Sequence, residues 1–238
     1  MDVVELRQYT LKPGQREVLV GIFEQNFVEE QEKHDARLIG QFRDLDRPDR
    51  FVWLRGFPDM AVRLRMLTDF YGGAAWKAKA GEANQTMIDS DNVLLLRPAG
   101  VRFPPADDSR PPLGSTAESA ALIAVTVFPV ASAEAELELL DFLRGDAAAV
   151  AAQDGRRVVA ELRTSPEVND FPGLPVREGE HVVVTVVAFD DAATHEAYRE
   201  RLRSSPEWTG KVRPELLARL AGEPERLRLQ PTPRSWLR

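Results

Sequence analysis

The most informative segment of the chain is QFRDLDRPDRFVWLRGF, residues 41–57. It predicts two strands joined by a charged turn, because Pro48 fixes φ and the aspartates around it can bind local backbone groups. From residue 51 onward, alternate side chains share one face of the second strand. That face carries three aromatic rings and one guanidinium, those of Phe51, Trp53, Arg55 and Phe57. An arginine between aromatic rings is unusual on a strand, so Arg55 is a candidate functional residue.

Composition is that of a globular protein with a sizeable core, at 238 residues of which 43% are hydrophobic. The net charge of −7 argues against general binding to nucleic acid, which normally needs a basic surface. The absence of cysteine excludes disulfides, thiolate metal sites and cysteine nucleophiles. No apolar run approaches the roughly 20 residues that span a bilayer, and no signal-peptide pattern is visible. We therefore expect a soluble cytoplasmic protein that does not act on membranes.

The first hundred residues carry strand and helix signals in the order β-α-β-β-α-β. A helix is predicted over 15–33, and a second helical region begins after Asp59 and is interrupted at Gly72 and Gly73. The predicted strands are residues 3–10, 36–44, 51–57 and 89–97. This order is the ferredoxin-like unit, which has its helices on one face of the sheet. The other sheet face, if apolar, must be covered by something else.

The pattern then starts again after a Pro-rich linker over residues 101–119. In residues 120–238, strands are predicted over 121–130, 157–164, 181–189 and 227–229, with helices over 133–152 and 191–203. Four residues of the first half, Phe57, Asp59, Trp76 and Lys79, recur 132 positions later as Phe189, Asp191, Trp208 and Lys211. We therefore predict an α+β fold of two tandem ferredoxin-like halves packed sheet to sheet as an intrachain α/β barrel. Residues 1–100 form the first half, and a homodimer is compatible with this fold but not required by it.

Several segments of the first half resemble the NIPSNAP family of the dimeric α/β-barrel superfamily. They are ELRQYTLKPG at 5–14, LIGQFRDLDRPDRFVWLRGFPD at 38–59, FYGGAAW at 70–76 and the pair Ala83-Asn84. The resemblance covers about residues 3 to 98, and the second half is a diverged copy without the RDLDRPDR turn. It implies mainly the fold, because the wider superfamily includes cofactor-free monooxygenases, polyketide cyclases, heme proteins and stress-response proteins. In its enzymes the pocket usually lies between the sheet and the helices of one half.

The aromatic side chains of the first half could line a pocket for a planar ligand. The candidate substrate-binding residues are Tyr9, Trp53, Phe70, Tyr71, Trp76 and Asn84. The alternative is that the rings are simply core, which we favour for Phe51 and Phe57. Arg55 could orient a carboxylate, phenolate or enolate, because a guanidinium is always charged and has fixed donors. The alternative is that it pairs with Asp44 or another carboxylate across the hairpin.

The three histidines are scattered and none has a partner at i, i+4, so no metal site is predicted. No Gly-rich phosphate loop is present, and no cofactor is expected. His34 lies near the end of the first helix, where it could act as a general base or simply interact with the helix dipole. His195 is most simply a solvated helix residue, and His181 the edge residue of a strand. A further alternative is heme binding through His34, for which this one histidine is the only evidence in the sequence.

The functional hypothesis is a protein that binds a small hydrophobic or aromatic metabolite of secondary metabolism in the first half. It could be a cofactor-free enzyme of the cyclase, isomerase or monooxygenase type, with His34 as general base and Arg55 as anion stabiliser. The alternative is a binding or scaffold module without turnover. An open pocket in the first half with His34 or Arg55 pointing into it would favour the enzyme.

Overall fold

The computed structural model describes residues 1–107 and 109–238. Its strands are β1 (Val3–Leu11), β2 (Arg37–Asp44), β3 (Arg50–Phe57), β4 (Met87–Pro98), β5 (Leu122–Val130), β6 (Arg156–Thr164), β7 (His181–Phe189) and β8 (Glu225–Pro231). Its helices are α1 (Arg16–Asn26), α2 (Val28–Glu32), α3 (Met60–Gly72), α4 (Ala74–Thr86), α5 (Ala133–Arg144), α6 (Asp146–Ala151), α7 (Ala192–Ser204) and α8 (Arg213–Ala218). A π-helical turn, Trp208–Val212, leads into α8.

The eight strands are antiparallel and close into one barrel in the order β1-β3-β2-β8-β5-β7-β6-β4. Strands β1 to β4 and strands β5 to β8 each form a ferredoxin-like half, so the predicted α+β fold is confirmed. The halves join edge to edge at two seams, where β2 pairs with β8 and β4 pairs with β6. Closure leaves the described strands without an open edge, which is how barrels avoid pairing with other chains.

The interior of the barrel is filled by aliphatic side chains from the inward faces of all eight strands. Leu6, Val52, Val125 and Val186 are typical, each at most 1% exposed. Alternation along each strand sends the neighbouring side chains outward, under the helices. The barrel is therefore a packed core, and any ligand site must lie outside it, between sheet and helices.

The connection between the halves, residues 99–121, has no helix or strand in its described part. It is nevertheless more than the spacer that its proline content predicts. Phe103 is buried against the barrel interior. Arg110 donates hydrogen bonds to Glu32 and to the backbone oxygen of Leu38. The connection thus contributes to the core.

The second helix region of each half begins with the same device. Asp59 accepts a hydrogen bond from the backbone N–H of Val62 at 2.8 Å, and Asp191 accepts one from Thr194 at 2.7 Å. Such caps satisfy a backbone donor that the first helical turn leaves free. Each cap lies two residues after the phenylalanine that ends its strand, Phe57 in β3 and Phe189 in β7. Helices α3 and α7 therefore start at matching places over their sheets.

Each half also covers part of the other through the connection between its two middle strands. In the β2–β3 turn, Asp46 accepts a hydrogen bond from Arg228 of β8 at 2.8 Å. In the β6–β7 loop, residues 165–180, Asp170 accepts one from Arg63 of α3 at 2.5 Å. The space between sheet and helices in either half is therefore bounded by a loop of the other half. None of the described helices is long and apolar enough to cross a membrane.

Candidate functional site

A buried charge cluster lies under the helices of the first half, formed by Glu5, Arg7, Arg55 and Arg63. The Glu5 carboxylate accepts hydrogen bonds from Arg55 Nε and Arg63 Nε, both at 2.7 Å, and from Arg7 Nη1 at 2.9 Å. All four side chains are at most 1% exposed. Burial alone would raise the pKa of Glu5, but the three guanidinium charges hold it far below its usual range. The carboxylate is thus ionised and fixed in place.

The predicted aromatic residues come together around this cluster. Tyr9 meets Trp53 edge to face with ring centroids 5.9 Å apart, and Tyr71 meets Trp76 at 4.8 Å. Phe70 packs against Trp76 at 5.7 Å. Trp53 is 1% exposed. The rings and the charge cluster therefore fill this part of the first half, and the space predicted to hold a ligand is largely occupied by side chains.

The other three site residues predicted from the sequence differ in how deeply they are buried. Arg55 is at the centre of the first half, with Arg55 Nη1 donating to Gln31 Oε1 at 2.8 Å. His34 is partly exposed, and its Nδ1 lies 3.7 Å from an Asp69 carboxylate oxygen at the surface. Asn84 is exposed on α4. The structure thus groups Arg55 with the five aromatic residues, and leaves His34 and Asn84 outside that group. Their catalytic and binding roles stay predictions.

The second half differs at the register positions that hold the charge cluster. In the first half, the outward pairs between β1 and β3 include Glu5↔Arg55 and Arg7↔Trp53. At the matching places, the outward pairs between β5 and β7 are Ala124↔Val187 and Thr126↔Thr185. Both ladders are anchored alike, by Val3↔Phe57 and by Leu122↔Phe189. Four large side chains are thus replaced by four small ones.

The small side chains leave a cavity of about 640 Å³ between the sheet and the helices of the second half. This volume lies within the range of small-molecule sites, about 300–1,000 Å³. Its floor includes Thr126, Thr185 and Val187, and α5 and α6 contribute Leu143 and Ala147 above it. Most of the lining is apolar, so the cavity favours a ligand with a hydrophobic body. We call it the second-half cavity.

His195 on α7 lines this cavity and is buried. Its ring lies edge-on to Phe189, with centroids 4.8 Å apart. Burial, with the positive charges of Arg228 and Arg199, lowers the pKa of His195 to about 4. The imidazole is therefore neutral at pH 7. Neutral imidazole has one nitrogen that donates and one that accepts a hydrogen bond.

Three polar atoms in the lining lack a hydrogen-bond partner among the described residues: His195 Nδ1, Arg156 Nε and Arg228 Nε. Buried polar atoms are nearly always satisfied by protein, water or ligand. Two of them belong to guanidiniums, which bind anions and cannot lose their charge. The cavity thus combines apolar walls with donors for a negatively charged group. In the part of the chain that the structure describes, no group of three or more ligating side chains could hold a metal ion.

The second-half cavity was missed from the sequence, where the site was placed in the first half and His195 was interpreted as a solvated residue. A usable signal was present in the internal repeat. At the spacing of 132 positions that relates Asp59 to Asp191, His195 corresponds to Arg63. Arg63 is fully buried against the charge cluster. Comparing the two copies position by position would have predicted that His195 is buried as well.

Comparison with known families identifies the first half. The NIPSNAP family model matches residues 4–101, which span β1 to β4. The first half is a NIPSNAP domain. This confirms the family resemblance of the hairpin and opening strand. The NIPSNAP match includes the charge cluster, whereas the second-half cavity lies mainly in residues beyond 101.

Solved structures match the whole barrel. A proposed monooxygenase from Fusobacterium nucleatum aligns with 97% of this chain and 92% of its own, at 11% identity and a TM-score of 0.62. An anthrone oxidase-like protein aligns with 97% and 91%, at 19% identity and a TM-score of 0.61. A proposed monooxygenase from Lactobacillus acidophilus aligns with 95% and 92%, at 12% identity and a TM-score of 0.54. These identities establish a shared fold only, and no curated protein matches the sequence.

Proposed function

We propose that this NIPSNAP-domain protein binds a small, mostly hydrophobic metabolite carrying an acidic hydroxyl or carboxylate in the second-half cavity. The observation that carries the proposal is the coincidence of an apolar cavity of about 640 Å³ with unpartnered His195 Nδ1, Arg156 Nε and Arg228 Nε among the described residues. An apolar ligand body matches the walls, and its acidic group would supply the missing hydrogen-bond partners.

The charges around the cavity support an anionic group. Arg156 and Arg228 line it. Among the described residues, Arg228 donates a side-chain hydrogen bond to one carboxylate, that of Asp46. Asp46 is half exposed, so its pairing with Arg228 is screened by water and is weak. An anion inside the cavity would be better shielded from solvent and would interact more strongly with Arg228.

The same geometry supports a second candidate function, proton transfer without a cofactor. A neutral His195 can accept a proton from an acidic C–H or O–H group of a bound ligand. Its low pKa makes it a weak base in the free protein, and the ligand anion formed beside it would stabilise the imidazolium. The nearby Arg228 would stabilise the anion that forms. The structural neighbours described as proposed monooxygenases and as anthrone oxidase-like are in keeping with this candidate, but their fold alone cannot select a reaction. A scaffold without turnover remains the alternative.

Native mass spectrometry of the purified protein, followed by titration with 2-naphthoate, tests the binding proposal. We expect a co-purifying organic acid or, in its absence, saturable binding of 2-naphthoate in calorimetry. His195→Gln and Arg228→Met should each weaken binding by about tenfold. The Gln amide does not reproduce the position of His195 Nδ1, and Met has no donor for the acidic group. Naphthalene-2-methylamine, a cation of similar shape, should bind much more weakly.

Two controls locate the site. Thr185→Trp should fill the second-half cavity and abolish binding, whereas Thr185→Val keeps the volume and should bind within about threefold of wild type. His34→Ala tests the sequence prediction in the same assay. Loss of binding or turnover in His34→Ala, with none in His195→Gln, would contradict the proposal and return the site to the first half.

A further inference from the structure

The charge cluster of the first half holds more positive than negative charge. Three buried guanidiniums, those of Arg7, Arg55 and Arg63, share the single buried carboxylate of Glu5. A second carboxylate, that of Asp170, reaches Arg63 from the β6–β7 loop and is about a quarter exposed. Without Asp170 the cluster would carry two uncompensated positive charges. Buried charge of this kind is costly unless an anion compensates it.

Unused donors remain even with Asp170 in place. Arg55 Nη2, Arg63 Nη2 and the indole N–H of Trp53 are buried and have no partner within residues 1–107 and 109–238. Arg55 lies over the Trp53 ring, with its guanidinium carbon 5.0 Å from the ring centroid. The cluster can therefore donate hydrogen bonds to further oxygen atoms, and the two oxygens of a carboxylate would supply them.

The β6–β7 loop places two consecutive side chains of different character on this cluster. Asp170 gives its carboxylate to Arg63, and Phe171 stacks on Tyr71 with ring centroids 6.1 Å apart and an interplanar angle of 29°. Both residues are partly buried, and the loop has no helix or strand. The loop thus presents a carboxylate next to an aromatic ring to the NIPSNAP domain. A free aromatic carboxylate would offer the same two groups.

We propose that the charge cluster and Tyr71 form a second binding site, for a small aromatic carboxylate, and that Asp170 and Phe171 occupy it in the structure described above. The ligand carboxylate takes the place of Asp170 on Arg63 and satisfies the free donors of Arg55 and Arg63. Its ring replaces Phe171 on Tyr71. The β6–β7 loop moves away when the ligand enters, so binding depends on the competition between ligand and loop. This site is separate from the second-half cavity and does not depend on the function proposed there.

Calorimetric titration with phenylacetate tests the site. The measurements use the full chain carrying Thr185→Trp, so that the second-half cavity cannot contribute. Asp170→Asn should bind phenylacetate at least about tenfold more tightly than its parent, because the competing loop carboxylate is gone. Glu167→Gln, on an exposed part of the same loop, is the matched control and should leave affinity unchanged.

Two further measurements test the aromatic part and the location. Acetate should bind Asp170→Asn at least about tenfold more weakly than phenylacetate, since it lacks the ring. Tyr71→Leu, added to Asp170→Asn, should remove most of that difference. Equal affinity in parent and Asp170→Asn, or no binding by folded Asp170→Asn at millimolar phenylacetate, would overturn the proposal. Equal affinity for acetate and phenylacetate would overturn its aromatic specificity.

Discussion

The carboxylate of Glu5 lies 2.7 Å from Nε of Arg55, directly across the β1–β3 ladder, and both side chains are fully buried. At the corresponding place of the second half, Ala124 faces Val187. The two halves thus share one fold but differ in the size of the side chains at these matched positions, which fill the space under the helices in the first half only. The side chains of the salt bridge fill the space between sheet and helices in the first half. The smaller side chains at the matching positions of the second half leave the cavity there.

Replacing Glu5 by Gln should destabilise the protein strongly. The change leaves three buried guanidiniums without their shared carboxylate, and breaking a buried ion pair from one side typically costs about 3–5 kcal/mol. Urea unfolding at pH 7 measures the difference. Glu17→Gln, which removes an exposed partner of Arg43, is the control and should cost less than about 1 kcal/mol. If both variants lost similar amounts of unfolding free energy, the buried cluster would contribute no more to stability than an exposed ion pair.

The variant Thr185→Trp should fold normally and keep its unfolding free energy within about 1 kcal/mol of wild type. The indole enters a space that is already empty, whereas the same change in a packed core costs about 1–3 kcal/mol or more. Val186→Trp, one residue along β7 and facing the barrel interior, is the matched control. The prediction fails if Thr185→Trp is destabilised as much as Val186→Trp.

Acid should destabilise the wild-type protein more than His195→Gln. The pKa of His195 in the folded protein is about 4, below the ordinary value of about 6.5 for an unfolded histidine. Between these two values the unfolded chain binds a proton that the folded protein does not, so stability falls as pH decreases from about 6.5 to about 4. The variant lacks this contribution. Urea unfolding curves at pH 7.5, 6, 5 and 4.5 should therefore diverge below pH 6.5, and parallel pH dependence would refute the burial of a neutral His195.

Truncating Phe103 to Ala should cost about 3–5 kcal/mol, because the ring is buried against the barrel interior although it belongs to the Pro-rich connection. Leu113→Ala in the same connection removes an exposed side chain and should change stability by less than about 0.5 kcal/mol. Thermal and urea unfolding of both variants provide the measurement. A negligible effect of Phe103→Ala would restore the interpretation of this segment as a simple linker.

The fold could be predicted from the sequence because its signals are local or repeated. Alternation from Phe51 to Phe57 specifies one strand and its two faces, and recurrence of Asp59 as Asp191 reveals the second copy. The aromatic group of Tyr9 and Trp53 was also predictable, since residues on neighbouring outward faces must meet. These features depend on residue type and spacing alone.

The hollow half could not be predicted in the same way. Whether space remains between sheet and helices depends on the summed volume of side chains from several elements, such as Thr126, Thr185 and Ala147. No single residue carries that information. The burial of His195 likewise depends on Phe189 beside it and on α7 lying close to the sheet, whereas its sequence neighbours are polar and suggest exposure.

Pairing of β2 with β8 has a consequence for the order in which the chain is made. When residues 1–100 have left the ribosome, they can form only an open four-stranded sheet with β2 and β4 at its edges. In the folded barrel β6 covers the β4 edge and β8, residues 225–231, covers the β2 edge, so the β2 edge has no native partner until β8 has been made. During that interval the nascent NIPSNAP domain exposes unpaired backbone and the apolar inner face of its sheet, both of which promote aggregation. We therefore expect slower synthesis of the second half to prolong this exposure of the first half.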